Sequence, residues 1–275
     1  MEFRWGERTY IMGIVNVSPD SFSGDGVADI EAAVVQANRL VEEGADILDI
    51  GGESTRPGSS PITVEEEIKR VVPVIERLAH KISIPISIDS YKYQVANQAL
   101  NAGASILNDQ WGLKKETALA ELSAKRNVPI ILMSNQRDKG GFDAGVGRDT
   151  AYYKDVIAEV IASFGESVAI ALKAGVPREN IIIDPGIGFG KTWQQDIEII
   201  RRLKELKVLE MPVLIGTSRK SLIKMVLNLP ANQRIEGTAA TVAISIANGA
   251  DIVRVHDVKQ MVQVCKMTDA IVRGV

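Results

Sequence analysis

The sequence places a polar residue at the end of one short apolar run after another. Asn16 closes Tyr10–Asn16, Glu53 follows Asp46–Gly51, Asp89 closes Ile86–Asp89, and Asn108-Asp109 ends the run from Ser105. Asp184 ends Ile181–Asp184, Thr217-Ser218-Arg219-Lys220 follows Val213–Gly216, and Arg254 and His256 straddle the end of Ile252–Val255. Carboxylates accept pairs of N–H groups, Asn gives and accepts at once, and Lys and Arg bind anions. Such groups are costly to bury alone. Brought to one place, they describe a site for a ligand rich in donors, acceptors and negative charge. Arg254, between Val253 and Val255, carries most weight, because an Arg turned inward from a buried strand needs an anionic partner. His256 alone reads as structural; beside Arg254 and Lys220 it reads as part of an anion site. Each Asp or Asn also has a plainer reading as a helix N-cap, clearest for Asp89-Ser90.

The elements that must position these residues alternate from end to end. With Pro129–Met133 there are eight β-branched apolar runs, each followed by a stretch of helical spacing. Nearly continuous apolar strands belong to a parallel sheet buried on both faces. Ile30, Ala33, Val34, Ala37 and Val41 mark the first helix. Thr63-Val64-Glu65-Glu66 has capping-box spacing and starts the second. Val156, Val160, Phe164, Val168 and Leu172 trace a long fifth helix ending at Ala174-Gly175, and the helix before the last strand ends at Asn248-Gly249. Eight βα units predict an α/β fold, a closed (β/α)8 TIM barrel, in preference to an open doubly wound sheet. One domain over 1–275 is expected. Long connections at Val17–Ala28, Glu53–Ile62 and Asn135–Asp149 follow strands one, two and five. They fall on the C-terminal face of the strands, where this fold builds active sites. The ends of strands seven and eight, which carry Lys220, Arg254 and His256, are where such barrels usually bind phosphate.

Composition narrows the class. The chain has 275 residues, 32 Lys+Arg against 35 Asp+Glu for a net charge of −3, and two His. This balance leaves no footprint for nucleic acid. No apolar run approaches the roughly 20 residues that cross a bilayer, so no membrane partner is expected. The lone Cys265 excludes a disulfide framework and fits a reducing, cytoplasmic setting. Gly186-Ile187-Gly188-Phe189-Gly190-Lys191-Thr192 imitates a phosphate loop, but Pro185 stands where the motif needs its first Gly. Its glycines are expected instead to let the backbone pass close to a flat ligand.

Met12-Gly13-Ile14-Val15-Asn16-Val17-Ser18-Pro19-Asp20-Ser21-Phe22-Ser23 and Asp49-Ile50-Gly51-Gly52-Glu53-Ser54-Thr55-Arg56-Pro57-Gly58 closely resemble the two signature segments of the dihydropteroate synthase family. Ser87-Ile88-Asp89-Ser90, Asn108-Asp109, Asp184-Pro185-Gly186-Ile187-Gly188-Phe189, Ser218-Arg219-Lys220 and Arg254-Val255-His256-Asp257 follow in the family's order. The resemblance spans essentially the whole chain. It implies a pterin-binding barrel that condenses 6-hydroxymethyl-7,8-dihydropterin pyrophosphate with p-aminobenzoate, giving 7,8-dihydropteroate and pyrophosphate in folate biosynthesis by a dissociative displacement.

The same resemblance assigns roles. Asp89, Asn108, Met133, Asp184 and Lys220 would bind the pterin, with Asp89, Lys220 and Asp184 catalytic. Asn16, Arg254 and His256 would hold pyrophosphate, with Mg²⁺ as cofactor near Asn16. Phe22, Thr55, Arg56, Pro57, Lys220 and Ser221 would form the p-aminobenzoate pocket. Loss of Arg254 is then expected to weaken pyrophosphate binding and to spare the pterin alcohol. The partners implied are small-molecule substrates and a second copy of the chain, in a homodimer packed through outer helices of the barrel's second half.

The chain departs from the family's pattern at three places. Loop one reads Ser23-Gly24-Asp25-Gly26, strand five ends Leu132-Met133-Ser134 where a His is usual, and Ser90 replaces a Thr. Phe189 runs directly into Gly190, the arrangement of sulfonamide-sensitive members. Two competing readings are a non-catalytic pterin-binding paralogue and a methyltetrahydrofolate–corrinoid methyltransferase. The latter has no need of an anion site at strands seven and eight.

Overall fold

The structure, a computed structural model, describes residues 3–17, 29–54, 60–137, 142–143 and 155–275. The eight apolar runs form parallel strands β1 (Tyr10–Asn16), β2 (Ile47–Gly51), β3 (Ile86–Asp89), β4 (Ile106–Asp109), β5 (Ile130–Met133), β6 (Ile181–Asp184), β7 (Leu214–Ile215) and β8 (Ile252–Val255). Pairing runs β6-β5-β4-β3-β2-β1-β8-β7. A parallel bridge from Ile183 to Val213 joins the last pair of strands, with Ile183 N–H donating to the Pro212 carbonyl at 3.0 Å. The sheet is thereby closed into the expected barrel. Phe142–Asp143 pairs antiparallel with Phe189–Gly190 outside it.

Around the barrel lie α1 (Ile30–Glu42), α2 (Val64–Ala79), α3 (Tyr93–Asn101), α4 (Ala118–Arg126), α5 (Val156–Lys173), α6 (Trp193–Arg201), α7 (Ser221–Leu227), α8 (Ile235–Ala247) and α9 (Val258–Val272). The start and stop signals act where the sequence places them. The Thr63 hydroxyl accepts from Glu66 N–H, and Ala174 and Asn248 end their helices before left-handed glycines. The helices that follow β3, β7 and β8 have no side-chain cap at Lys92, Lys220 or Asp257. Asp89-Ser90 is therefore not the N-cap of α3, and the Asp89 carboxylate is used inside the barrel instead.

Two apolar clusters divide the core. The larger lies between strands and helices, where Ile11, Val15, Leu48, Ile50, Ile88, Leu107 and Val253 meet the helical faces. The smaller fills the barrel's lower interior with Tyr10, Met12, Ile47, Ile106, Ile131, Ile182, Leu214 and Ile252. Phe3 and Trp5 pack beneath it, stacked on each other with centroids 4.8 Å apart and edge-on to Tyr10. Side chains alternate across a strand. The next inward positions are therefore Asp49, Asn108, Met133, Asp184, Gly216 and Arg254, two residues nearer the C-terminal face than this floor. Ser87 and Asp89 face inward on β3 by the same alternation.

Candidate active site

Arg254 is the hub of this upper layer. Its Nε donates to Asp49 Oδ2 at 2.5 Å and its Nη2 to Asp89 Oδ2 at 2.7 Å. The inward Arg thus has the anionic partners its strand position requires, and both are supplied by the chain. Burial works against the Arg254 charge, but Asp49 and Asp89 outweigh it and raise its pKa. Its Nη1 has no partner among the described residues and remains available to a ligand. Asp89 is held well above the ordinary carboxylate range: burial, assisted by Asp49 and Glu67, outweighs Arg254 and Lys220.

The ring-recognition groups surround this hub. Asn108 donates Nδ2 to Asp49 Oδ2 at 3.1 Å, which leaves its Oδ1 free to accept. Buried Asp184 accepts from Gly186 N–H at 2.8 Å, and burial raises its pKa. Met133 is buried and stands opposite Asp184 in register. Lys220 places its Nζ 4.3 Å from the centroid of Phe189, whose ring also carries the Arg137 guanidinium carbon at 4.6 Å. Burial, then Arg254, push the Lys220 ammonium down to about 8, against the pull of Asp184 and Asp196. It keeps its charge at neutral pH and can give a proton up more easily than a free lysine.

His256 faces Ser218. The Ser218 hydroxyl lies 2.9 Å from His256 Nδ1 and accepts the His256 main-chain N–H at 3.2 Å. The hydroxyl can also donate to Nδ1, and in that tautomer the ring proton is on Nε2. Burial, then Arg219, Arg254 and Lys220, hold the imidazole well below its usual pKa. It is neutral at physiological pH and offers an N–H to an anion without adding charge.

Other residues that the sequence placed at strand ends serve the scaffold. Asp109 accepts from Trp111 and Leu113 N–H at 2.8 and 2.6 Å and closes a turn. Burial pushes it up to about 6 despite those bonds. Arg219, at φ +57°, is held in a fork by Asp257, with bonds of 3.0 and 2.6 Å. Glu53 takes Lys92 Nζ at 2.6 Å, as does Glu67, while Lys92 also reaches the Ile62 carbonyl at 2.8 Å. That half-buried lysine fastens Glu53 and Ile62, which flank the second long connection.

The false phosphate loop is a strut. Lys191 is fully buried and its Nζ donates to the carbonyls of Ser134, Gly186 and Phe189 at 2.8, 3.1 and 3.2 Å. Thr192 forms a capping box with Gln195 at the start of α6. A Cβ on Gly186 would stand 2.4 Å from the Ser134 carbonyl, and one on Gly190 2.5 Å from the Gln136 carbonyl carbon. These two glycines admit the neighbouring backbone, not a ligand, which corrects the sequence expectation. Gly188 alone faces the site, with its Cβ position 3.5 Å from Lys220 Cδ. Ser134, where a His is usual, is buried within this strut and accepts from Gln136 Nε2 at 3.1 Å.

Asn16 closes β1 at the same face, half-buried, and among the described residues its side chain has no hydrogen-bond partner. Ser221 is half-buried at the start of α7, next to Lys220. Phe22, Thr55, Arg56 and Pro57 lie outside the described residues. No group of three or more His, Cys, Asp or Glu among the described residues could enclose a metal ion. Sequence reasoning gave no role to Asp49 or to Ser218, although both stand in segments it singled out, and it did not foresee the Lys191 strut. For Asp49 a signal existed: a lone carboxylate at the inward position of an otherwise apolar strand.

The pterin binding enzyme family matches this chain over residues 12–256. A dihydropteroate synthase of Clostridium beijerinckii is 50% identical over 274 residues, covering 99% of this chain and 97% of the relative. That of Bacillus subtilis is 47% identical over 265 residues, 96% of this chain and 89% of the relative. A crystal structure of the Clostridium difficile dihydropteroate synthase, obtained in the presence of pteroic acid, superimposes with a TM-score of 0.89. It is 45% identical and covers 99% of this chain and all (100%) of that one. The Xanthomonas albilineans enzyme with 4-aminobenzoic acid matches at TM-score 0.87 and 39% identity, over 97% and 94% of the two chains. With likeness of this extent in both sequence and fold, the chain belongs to the pterin binding enzymes and, among them, to the dihydropteroate synthases.

Proposed function

We propose that the chain condenses 6-hydroxymethyl-7,8-dihydropterin pyrophosphate with p-aminobenzoate, releasing 7,8-dihydropteroate and pyrophosphate. The observation that carries this reading is the upper barrel layer. Asn108, Asp49, Arg254 and Asp89 form one hydrogen-bonded network, and the charge of Lys220 acts on Asp89, on Asp184 and on the neutral His256 beside it. A methyltransferase using a folate methyl group has no use for that cationic end.

In this mechanism Asp184 takes the N–H pair of the pterin's amino-pyrimidine edge, and Asn108 accepts through Oδ1 from a neighbouring ring N–H. Lys220 donates to the other side of the ring. Met133 packs against its face. Asp89 favours the positive charge that grows on the pterin methylene as the carbon–oxygen bond lengthens. Arg254 Nη1 and His256 Nε2–H receive the departing pyrophosphate. An aromatic amine is largely unprotonated at neutral pH, so attack needs no protein base, and the proton that the amine sheds once the carbon–nitrogen bond has formed passes to water or to the departing pyrophosphate. The second substrate would lie by Lys220 and Ser221, with Phe22, Thr55, Arg56 and Pro57 completing its pocket.

The donor set near the leaving group fits a loosely held Mg²⁺, which keeps most of its waters and takes few protein ligands. Asn16 offers one uncommitted amide oxygen, while Asp49 and Asp89 are engaged by Arg254. Mg²⁺ held there would offset negative charge on the pyrophosphate.

We also propose a homodimer. Met225, Val226 and Leu227 on α7, Ile244 on α8, and Met267, Ile271 and Val272 on α9 are exposed apolar side chains concentrated on the last three helices. An apolar group of this kind commonly marks an interface. Among the described residues no helix is long and apolar enough to cross a membrane, and Cys265 is unpaired, which supports a cytoplasmic setting.

The test is pyrophosphate release from the dihydropterin pyrophosphate. Release that requires both p-aminobenzoate and Mg²⁺ and is blocked by a sulfonamide is expected. Pterin binding without p-aminobenzoate-dependent release would overturn the catalytic reading in favour of a binding paralogue.

A further inference from the structure

We infer that Asp49, a fully buried carboxylate that the mechanism above does not use, is a positioning residue. It couples recognition of the pterin ring to recognition of the leaving pyrophosphate. The inference rests on the function proposed above.

Asp49 sits on β2 at the centre of the barrel interior and is 0% exposed. A single oxygen, Oδ2, accepts from Asn108 Nδ2 at 3.1 Å and from Arg254 Nε at 2.5 Å. Each bond has a directional consequence. An Asn amide can present either its N–H₂ or its carbonyl to a ligand. Because one Nδ2 hydrogen is bound to Asp49, the orientation of the Asn108 amide is fixed, and a ring edge that meets its Oδ1 must donate there. A guanidinium held at Nε has its plane fixed. With Asp89 on Nη2, the group left for an anion is Nη1. Asp49 thus sets which atom each partner offers, without touching ligand itself.

Its second oxygen strengthens the case. Among the described residues, Asp49 Oδ1 is buried with no hydrogen-bond partner, and so is the hydroxyl of Ser87, its register neighbour on β3. A carboxylate whose task was only to support the fold would be expected to have both oxygens satisfied. Asp49 instead spends one oxygen on two site residues. Its negative charge also acts on Asp89. The charged groups acting on Asp89 are Arg254 on β8, Asp49 on β2, Glu67 on α2 and Lys220 before α7, and Asp49 and Glu67 are the two that favour its protonation.

The test is Asp49→Asn, which keeps size and an acceptor but removes charge. It is studied alongside wild type and Asp184→Ala by calorimetry, with 6-hydroxymethyl-7,8-dihydropterin and inorganic pyrophosphate as separate probes. Asp49→Asn is expected to weaken both by about ten-fold or more, the usual loss for a hydrogen bond to a charged group. Asp184→Ala is expected to lose only the pterin. Loss at one end alone in Asp49→Asn, or at neither, overturns the inference. Failure of wild type to bind either probe overturns the function proposed above instead.

The pH profile of kcat/KM gives a readout that a purely structural role would leave in place. Below its pKa, Asp89 loses the charge the mechanism needs, so wild type has an acid limb. Removing the Asp49 charge lowers the Asp89 pKa and moves that limb to lower pH. An unmoved limb overturns the inference. Should Asp49→Asn fail to fold, Asn108→Ala frees one claim on Asp49 Oδ2. It is then expected to change pyrophosphate affinity by about three-fold although Asn108 lies at the ring end. Unchanged affinity would count against the coupling.

Discussion

Two layers of one barrel interior, two residues apart along the same strands, have opposite characters. The lower is Tyr10, Met12, Ile47, Ile106, Ile131, Ile182, Leu214 and Ile252, closed from below by Phe3 and Trp5. In the upper, Ile47 gives way to Asp49, Ile106 to Asn108, Ile182 to Asp184 and Ile252 to Arg254. The floor gains stability from apolar burial, roughly 25 cal/mol per Å². The upper layer sets buried charges against one another and holds Asp89 and Asp184 above their ordinary pKa range through burial. Function is therefore built where the barrel is least comfortable, and the floor supplies the stability that makes this tolerable.

The sharpest test of that contrast is to remove a single upper-layer group. Asp184→Ala and Lys220→Ala are each expected to lower kcat/KM by about a thousand-fold or more, as when a transition-state partner is lost. Their circular dichroism should stay that of wild type, and Asp184→Ala should no longer bind the pterin. Normal pterin binding by Asp184→Ala would break the assignment.

Arg254→Ala sharpens the contrast in another way. From the sequence, this change weakens only pyrophosphate binding. The structure revises that expectation, because Asp49 and Asp89 would lose their shared partner. A loss of about 3 kcal/mol in urea unfolding is expected, together with weaker binding of the pterin alcohol.

A smaller effect follows from pH. Asp89, Asp184, Asp109 and Asp196 all have raised pKa values, chiefly by burial. Between about pH 4 and neutrality the folded protein therefore holds protons that the unfolded chain has released. These groups make the ligand-free protein less stable as pH rises through that window. Asp89→Asn is expected to flatten the slope, measured as melting temperature against pH.

The floor should respond least. Ile182→Val removes one buried methylene and is expected to cost about 1 kcal/mol while leaving KM within about two-fold of wild type. A large change in KM from this substitution would dissolve the distinction between the layers.

Much of this was legible in the sequence. Eight β-branched runs and their helices indicated the barrel, because a strand buried on both faces must be apolar throughout. Strand-end polar residues marked the face of the site, since a buried polar group needs a partner and several of them on one face make room for a polar ligand. Asp184, Asn108, Lys220, Arg254 and His256 were found in this way. The capping signal at Thr63 and the left-handed glycines at 175 and 249 are local, and they act as their neighbours in sequence require.

Other features depend on partners far away in the chain. Asp49 and Arg254 are 205 positions apart, and Lys191 finds the Ser134 carbonyl 57 positions away. No pattern along one strand says whether an inward Arg meets a ligand or two carboxylates of its own barrel. Nor does it say whether Asp89 caps α3 or faces Arg254. Residue type and strand position set which groups are present and which way they point, because those are properties of the local backbone. Closure of the barrel decided which of them share a proton, a charge or a ligand, because electrostatic interaction depends on distance through space and not on separation along the chain.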